Sequence, residues 1–159
     1  MAENLILNEA AKKDFSRILE FMKLVDRDFV PPLSERGSIE GEVRNALASK
    51  DEHYMIAEKK GEITAIAKYI ENYNGKKDSA YIKYLAVHPS HRGRGIGISV
   101  RKKILELLKK KGVKEVHSRT WSANKAMLGI NKKMGFEIEK VVKDERAPGI
   151  DGIYFRKRL

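Results

Sequence analysis

The chain is 159 residues long with a hydrophobic share of 42%, enough for one buried core and too apolar for global disorder. It has no cysteine, which excludes disulfides, thiolate metal sites and cysteine nucleophiles together. No apolar run approaches the ~18 residues of a membrane span, the start lacks the basic flank and apolar stretch of a secretory signal, and the net charge of +11 speaks first to solubility and only then to partners. A single cytoplasmic domain over residues 1–159 is the expectation.

Along the chain, Leu5–Asn8 reads as a short strand. Phe15, Ile18, Leu19, Met22 and Val25 repeat at helical spacing between Lys12 and Val25. The run Asp28-Phe29-Val30-Pro31-Pro32-Leu33 ends that helix, because consecutive prolines remove donors and hold an extended path. A second helix follows with Ile39, Val43, Ala46 and Leu47 on one face. The period then changes to that of strands: His53–Glu58, Ile63–Glu71 and Ala80–Val87. The dipeptide Asn74-Gly75 predicts a tight turn between the last two, since both residues tolerate positive φ.

A glycine-rich loop comes next, then a helix from about Ile96 to Lys111 that buries Val100, Ile104, Leu107 and Leu108. Gly112 stands where a helix-terminating glycine belongs. Arg101, Lys102, Lys103, Lys109, Lys110, Lys111 and Lys114 are expected on its solvated face, with an anion- or nucleic-acid-binding surface as the alternative. Val113–Thr120 reads as a strand and Ala123–Met134 as a helix closed by Gly135. Phe136–Val142 and Ile153–Leu159 are the last strands. The strand–loop–helix–strand unit over 80–120 implies a crossover between parallel or splayed strands. The expected fold is an α/β domain with a mixed sheet and helices on both faces.

The loop Arg92-Gly93-Arg94-Gly95-Ile96-Gly97 opens a helix, where free N–H groups and partial positive charge favour phosphate. Its glycines allow close backbone approach, and Arg92 and Arg94 add charge. A Walker loop would end in Gly-Lys-Ser/Thr, but Gly97 precedes Ile98-Ser99. A dinucleotide fingerprint starting at Gly93 would need a third glycine where Ile98 stands.

The stretch from Leu85 to Gly97 resembles the acyl-CoA motif of the GNAT N-acetyltransferase superfamily, whose pattern Gln/Arg-x-x-Gly-x-Gly/Ala is met by Arg92, Gly95 and Gly97. The run from Asn124 to Met134-Gly135-Phe136 resembles the family's next motif, and Asp151–Phe155 resembles its last strand. The order of elements is similar from about residue 5 to 159. The resemblance implies a largely antiparallel sheet with a splayed parallel strand pair that admits the pantetheine arm of acetyl-CoA. It implies that Leu85, Ala86 and Val87 pair with pantetheine, with a backbone N–H near Val87 facing the thioester carbonyl. It further implies that residues Arg92, Gly93, Arg94, Gly95, Ile96 and Gly97 hold the pyrophosphate, and that Asn124 reaches the pantetheine unless it only caps its helix.

Two positions depart from the family pattern. Asn131 stands where many members carry a tyrosine that protonates the leaving sulfur; it resembles a branch in which this asparagine contacts the cofactor. Tyr81 stands where some members carry a glutamate base. Glu71, at the end of the preceding strand, is the candidate catalytic base, with His88 a weaker one. Such weak base machinery suits an amine of low pKa. The resemblance implies that acceptor specificity comes from Asp26–Arg36 and the loop Asp144–Gly152, with Asp26, Asp28 and Glu35 as candidates to receive a cationic amine; Phe29, Pro31, Pro32 and Leu33 either wall the pocket or pack the inter-helix loop.

The expected activity is transfer of an acetyl group from acetyl-CoA to a primary amine of a small molecule, peptide or protein, by direct attack. A non-catalytic acyl-CoA-binding sensor and a basic ribosome- or nucleic-acid-associated module are the rival classes. No metal and no membrane partner are expected, and a homodimer is allowed.

Overall fold

The computed structural model describes residues 5–159, so the start read against a secretory signal lies partly outside the described residues. Seven strands form one sheet in the order β1-β2-β3-β4-β5-β7-β6. Here β1 is Ile6–Glu9, β2 Glu52–Lys59, β3 Glu62–Glu71, β4 Ser79–Val87, β5 Glu115–Trp121, β6 Glu137–Ala147 and β7 Ile150–Arg158. All neighbours are antiparallel except β4 and β5. That parallel pair needs a crossover, and α3 (Ile96–Lys110) supplies it. No helix among the described residues is long and apolar enough to cross a membrane.

The sheet divides two cores. α1 (Phe15–Leu24) and α2 (Ile39–Ala48) cover one face, where Ile18, Met22 and Val43 meet Tyr54, Ile56 and Ile66. Ser38 starts α2 by accepting a hydrogen bond from the Gly41 N–H, which satisfies one of the helix's open donors. On the other face Val100, Ile104 and Leu108 of α3 pack on Ala65, Ala67 and Ile82. Leu128 and Met134, on and just after α4 (Lys125–Lys133), join them.

β4 belongs to both cores in turn. Ala80 and Ile82 face α3, whereas Tyr84 and Ala86 face α1 and α2. Strict alternation would keep all four on one face. The switch comes from a bulge: Tyr69 pairs with Ile82 and Lys68 with Tyr84, leaving Lys83 as the extra residue.

Three expectations are corrected. The connection after β3 is not a two-residue turn at Asn74-Gly75. Asn72 and Asn74 both take left-handed backbone conformations around a short helical turn, Tyr73–Gly75, so the chain needs residues 72–78 to reach β4. Residues 144–152 are not a loop, because β6 and β7 continue through them to a turn at Pro148-Gly149. Arg101 does not lie on the solvated face of α3; one residue after Val100 and three before Ile104, it is turned inward and is fully buried.

Candidate active site

The pairing of β4 with β5 runs from Ser79–Glu115 to Ile82–Ser118 and then stops, although both strands continue. Beyond that point the strands separate around a cleft of about 540 Å³, lined by Leu85, Ala86 and Val87 on one side and Thr120 and Trp121 on the other. The edge of β4 facing this gap can be identified. The His88 N–H donates to the Thr64 carbonyl, so residue 88 points toward β3. Groups alternate along an antiparallel strand, so the N–H and C=O of Val87, and with them those of Leu85, point into the gap. The Val87 carbonyl there accepts a hydrogen bond from Arg92 Nε at 3.0 Å.

The glycine loop closes one end of the cleft. Gly95 is the residue before α3, in the left-handed region at φ +76°, and Gly93 is similar at +77°. A side chain at either would strain the backbone. Gly97 serves a different need, because a Cβ there would lie 3.3 Å from Ile130 Cδ1. Among the described residues no side chain caps α3, and its first turn contains no acidic residue. The N–H groups of Ile96, Gly97 and Ile98 precede the first intrahelical bond, which Ser99 makes to Gly95. Open amides, left-handed glycines and a free strand edge on one cleft fit a long ligand with a phosphate at one end and amides along its arm.

Of the loop residues, Arg92, Gly93, Gly95, Ile96 and Gly97 line the cleft, and Arg94 does not. Arg92 also forms an ion pair with Asp28 from the connection between α1 and α2. Asn124 lines the cleft and caps α4: its Oδ1 accepts from the Met127 N–H at 3.2 Å and its Nδ2 donates to Thr120 Oγ1 at 3.0 Å.

Two expected residues lie elsewhere. Glu71 pairs with Ala80 at the end of the sheet opposite the gap, and its carboxylate meets Lys111 Nζ at 2.7 Å and His53 Nε2 at 3.5 Å. It is absent from the cleft lining, so it is withdrawn as the base. Asn131 is fully buried beneath the cleft, where its side-chain oxygen accepts from Arg101. It reaches neither ligand space nor solvent. His88 is turned into its own loop, its Nδ1 accepting from the Ser90 N–H.

The acidic residues expected to receive an amine are occupied or outside the cleft. Asp26 accepts from the Ser34 N–H and hydroxyl, both at 2.7 Å, and Asp28 holds Arg92. Glu35 does not line the cleft; of the expected wall, Phe29 does, edge-on to Tyr84 with centroids 5.5 Å apart. The cleft on this side is instead basic and aromatic: Arg36, Arg119, Arg146, Tyr81, Tyr84 and Trp121. Sequence reasoning missed the three arginines. They come from three separate elements, and only the β5 alternation of Arg119 and Trp121 hinted that both share a face with the gap.

Tyr84 and Lys83 share one carboxylate. The Tyr84 hydroxyl donates to Glu42 Oε1 at 3.0 Å, and Lys83 Nζ does so at 3.2 Å. Lys68, fully buried, lies 3.6 Å from Glu42 and 2.7 Å from Glu52. Burial works to raise the Glu42 carboxyl, but Lys68 and Lys83 hold it below its ordinary range. Burial, and then the Glu42 charge, push the Tyr84 phenol upward, so it remains protonated. Tyr81 is likewise pushed up, by burial above all.

Comparison with known proteins gives a consistent result. The model of the Acetyltransferase (GNAT) family matches residues 18–136. An acetyltransferase of Pectobacterium atrosepticum is 31% identical over 98 residues, covering 62% of this chain and 67% of that protein. A GCN5-related N-acetyltransferase from Kribbella flavida superposes with a TM-score of 0.85 at 16% identity, covering 100% of each chain. An acetyltransferase from Salmonella typhimurium, solved with acetyl-CoA, gives a TM-score of 0.79 at 15% identity over 99% of this chain and 95% of that one.

Proposed function

Because the chain belongs to the GNAT acetyltransferase family, and is an N-acetyltransferase, we propose that it uses the cleft between β4 and β5 to move an acetyl group from acetyl-CoA directly to a primary amine. The observation that carries this reading is the end of the parallel pairing at Ile82–Ser118, beside the uncapped amides of α3. The whole chain is proposed to act as one domain.

Acetyl-CoA supplies an activated acyl group: the neutral amine forms the C–N bond, the C–S bond breaks, and the proton lost from nitrogen ends on the departing CoA sulfur as the thiol. In this proposal the N–H and C=O of Leu85 bind the pantetheine amides, the Val87 carbonyl being already held by Arg92. The Val87 N–H, aimed into the gap, stabilises the oxyanion that develops on the thioester carbonyl. The amides of 96–98 and the glycine loop take the pyrophosphate, with Arg92 beside them. Arg101, buried in the cleft wall and without a carboxylate partner among the described residues, adds positive charge there. Asn124 fixes the start of α4 at the cleft wall.

The lining offers no unengaged carboxylate among the described residues: Asp28 holds Arg92, His91 lies 3.8 Å from the Glu62 carboxylate, and the Tyr81 and Tyr84 phenols are both pushed upward. The amine must therefore arrive neutral. For a lysine side chain near pKa 10.4 that costs about 4.6 kcal/mol at pH 7, against about 1 kcal/mol for an α-amine near 7.8. The preferred acceptor is an amine of low pKa. The test is thiol release from acetyl-CoA over a panel of α-amines and side-chain amines. Preference for α-amines supports the reading, and equal turnover of both kinds contradicts it.

A further inference from the structure

We propose that the acceptor carries a carboxylate as well as its amine, and that Arg36, Arg119 and Arg146 receive that carboxylate on the α1–α2 side of the cleft. This inference rests on the acetyltransferase reading of the same cleft. Its first ground is convergence. Arg36 Nη2 and Arg146 Nη1 both donate to the one carbonyl oxygen of Val30, each at 3.1 Å, which brings two cations from distant elements together. Arg119 approaches from β5, its guanidinium lying over the rings of Tyr81 at 5.3 Å and Tyr154 at 4.5 Å. All three line the cleft and act on the Tyr81 phenol.

The second ground is charge balance. Arg36 bonds to the carbonyls of Val30 and Pro31, Arg146 to Val30, and Arg119 to the Tyr73 hydroxyl. Among the described residues none of the three forms an ion pair. The neighbouring carboxylate, Glu145, accepts from the Tyr154 hydroxyl at 2.6 Å. Burial and then the Arg146 charge lower the pKa of Arg36, as expected of two cations held together without an anion between them. Guanidinium groups present paired donors that match a carboxylate, so an acceptor bearing one would relieve this repulsion.

The same field serves the chemistry. An ammonium group brought beside three guanidinium groups loses its proton more readily, since like charges disfavour the charged form. The arginines would thus hold one end of the acceptor and favour the neutral amine at the other. That replaces a carboxylate base with positive surroundings, in a cleft where the expected acids Asp26 and Asp28 are otherwise engaged.

The experiment uses the full chain with acetyl-CoA and a matched acceptor series: free amino acids, the same amino acids as C-terminal amides, and the corresponding decarboxylated amines. Rates are compared per neutral amine. Free acids should exceed their amides in kcat/KM by roughly ten- to hundred-fold. Arg119→Gln should remove most of that advantage through acceptor KM, with acetyl-CoA KM unchanged and Arg119→Lys restoring part of it. Amides that match or exceed the acids in the unaltered chain overturn the inference, whatever the variants do. A rise in acetyl-CoA KM equal to that of the acceptor also overturns it, by assigning the cations to the cofactor. Thiol release from amines regardless of carboxylate defeats this inference alone, whereas no release with any amine defeats the acetyltransferase reading beneath it.

Discussion

The Arg101 guanidinium donates to the side-chain oxygen of Asn131, and both residues are buried. Burial lowers the pKa of Arg101 to about 10, and its guanidinium also lies 4.6 Å from the centre of the Phe136 ring. Asn131 therefore holds an inward-turned cation in place under the cleft. Asn131→Ala is expected to cost about 2 kcal/mol of stability, the range for a hydrogen bond to a charged group. Its turnover at saturating acetyl-CoA should stay within about two-fold of the parent. Chemical denaturation and thiol-release kinetics on the same preparation check both halves. Lost turnover with unchanged stability would return Asn131 to the cofactor.

Gly95→Val tests the glycine loop. At φ +76° a β-branched side chain strains the backbone by about 1–3 kcal/mol, at the residue from which α3 presents its open amides. Acetyl-CoA affinity measured by titration calorimetry should fall by about ten-fold or more, while the melting transition remains cooperative. Unaltered affinity would mean that the loop does not hold the pyrophosphate.

Glu71→Gln should leave turnover and its pH profile unchanged. The carboxylate sits on Lys111 and His53 away from the gap, in a partly solvated ion pair worth less than about 1 kcal/mol. A large fall in kcat would reinstate it as the base.

Glu42 ties acid stability to the acceptor side of the site. Its carboxyl has an ordinary value of 4.5 and is lowered in the folded chain. A depressed carboxyl contributes stability that is fully present above the ordinary value and is lost as pH falls through the native one. Stability should therefore decline below about pH 4.5 in the parent and less steeply in Glu42→Gln. The variant should also be weaker near neutrality by about 1–3 kcal/mol, because Lys68 keeps its burial and loses one of two acidic neighbours. Denaturant unfolding across pH 3–7 reads both effects.

Much of this architecture was legible in the sequence because it is local. The 3.6-residue period marked α1, α2 and α3, and Gly93, Gly95 and Gly97 announced a loop that opens a helix. The order of elements and the glycine spacing resembled one family, and the fold agrees. What escaped depends on contacts between distant segments. Arg101 looked like one more cation in a basic run, and its inward turn depends on Asn131, thirty residues away. The bulge at Lys83 carries no composition cue, yet it turns Tyr84 toward Glu42. Asp26 and Asp28 seemed free to receive an amine because Ser34 and Arg92 are invisible as their partners until the chain folds. The arginine cluster joins an inter-helix connection, β5 and β6, a juxtaposition only the sheet order creates.

Direct transfer within the gap between β4 and β5 is tested most directly by initial-velocity kinetics. Acetyl-CoA and a reactive amine are varied together while released thiol and acetylated amine are both measured. Direct transfer gives intersecting lines, one thiol per acetylated amine and no acetylated protein. Parallel lines with an acetylated chain that passes its acetyl group to the amine would contradict it.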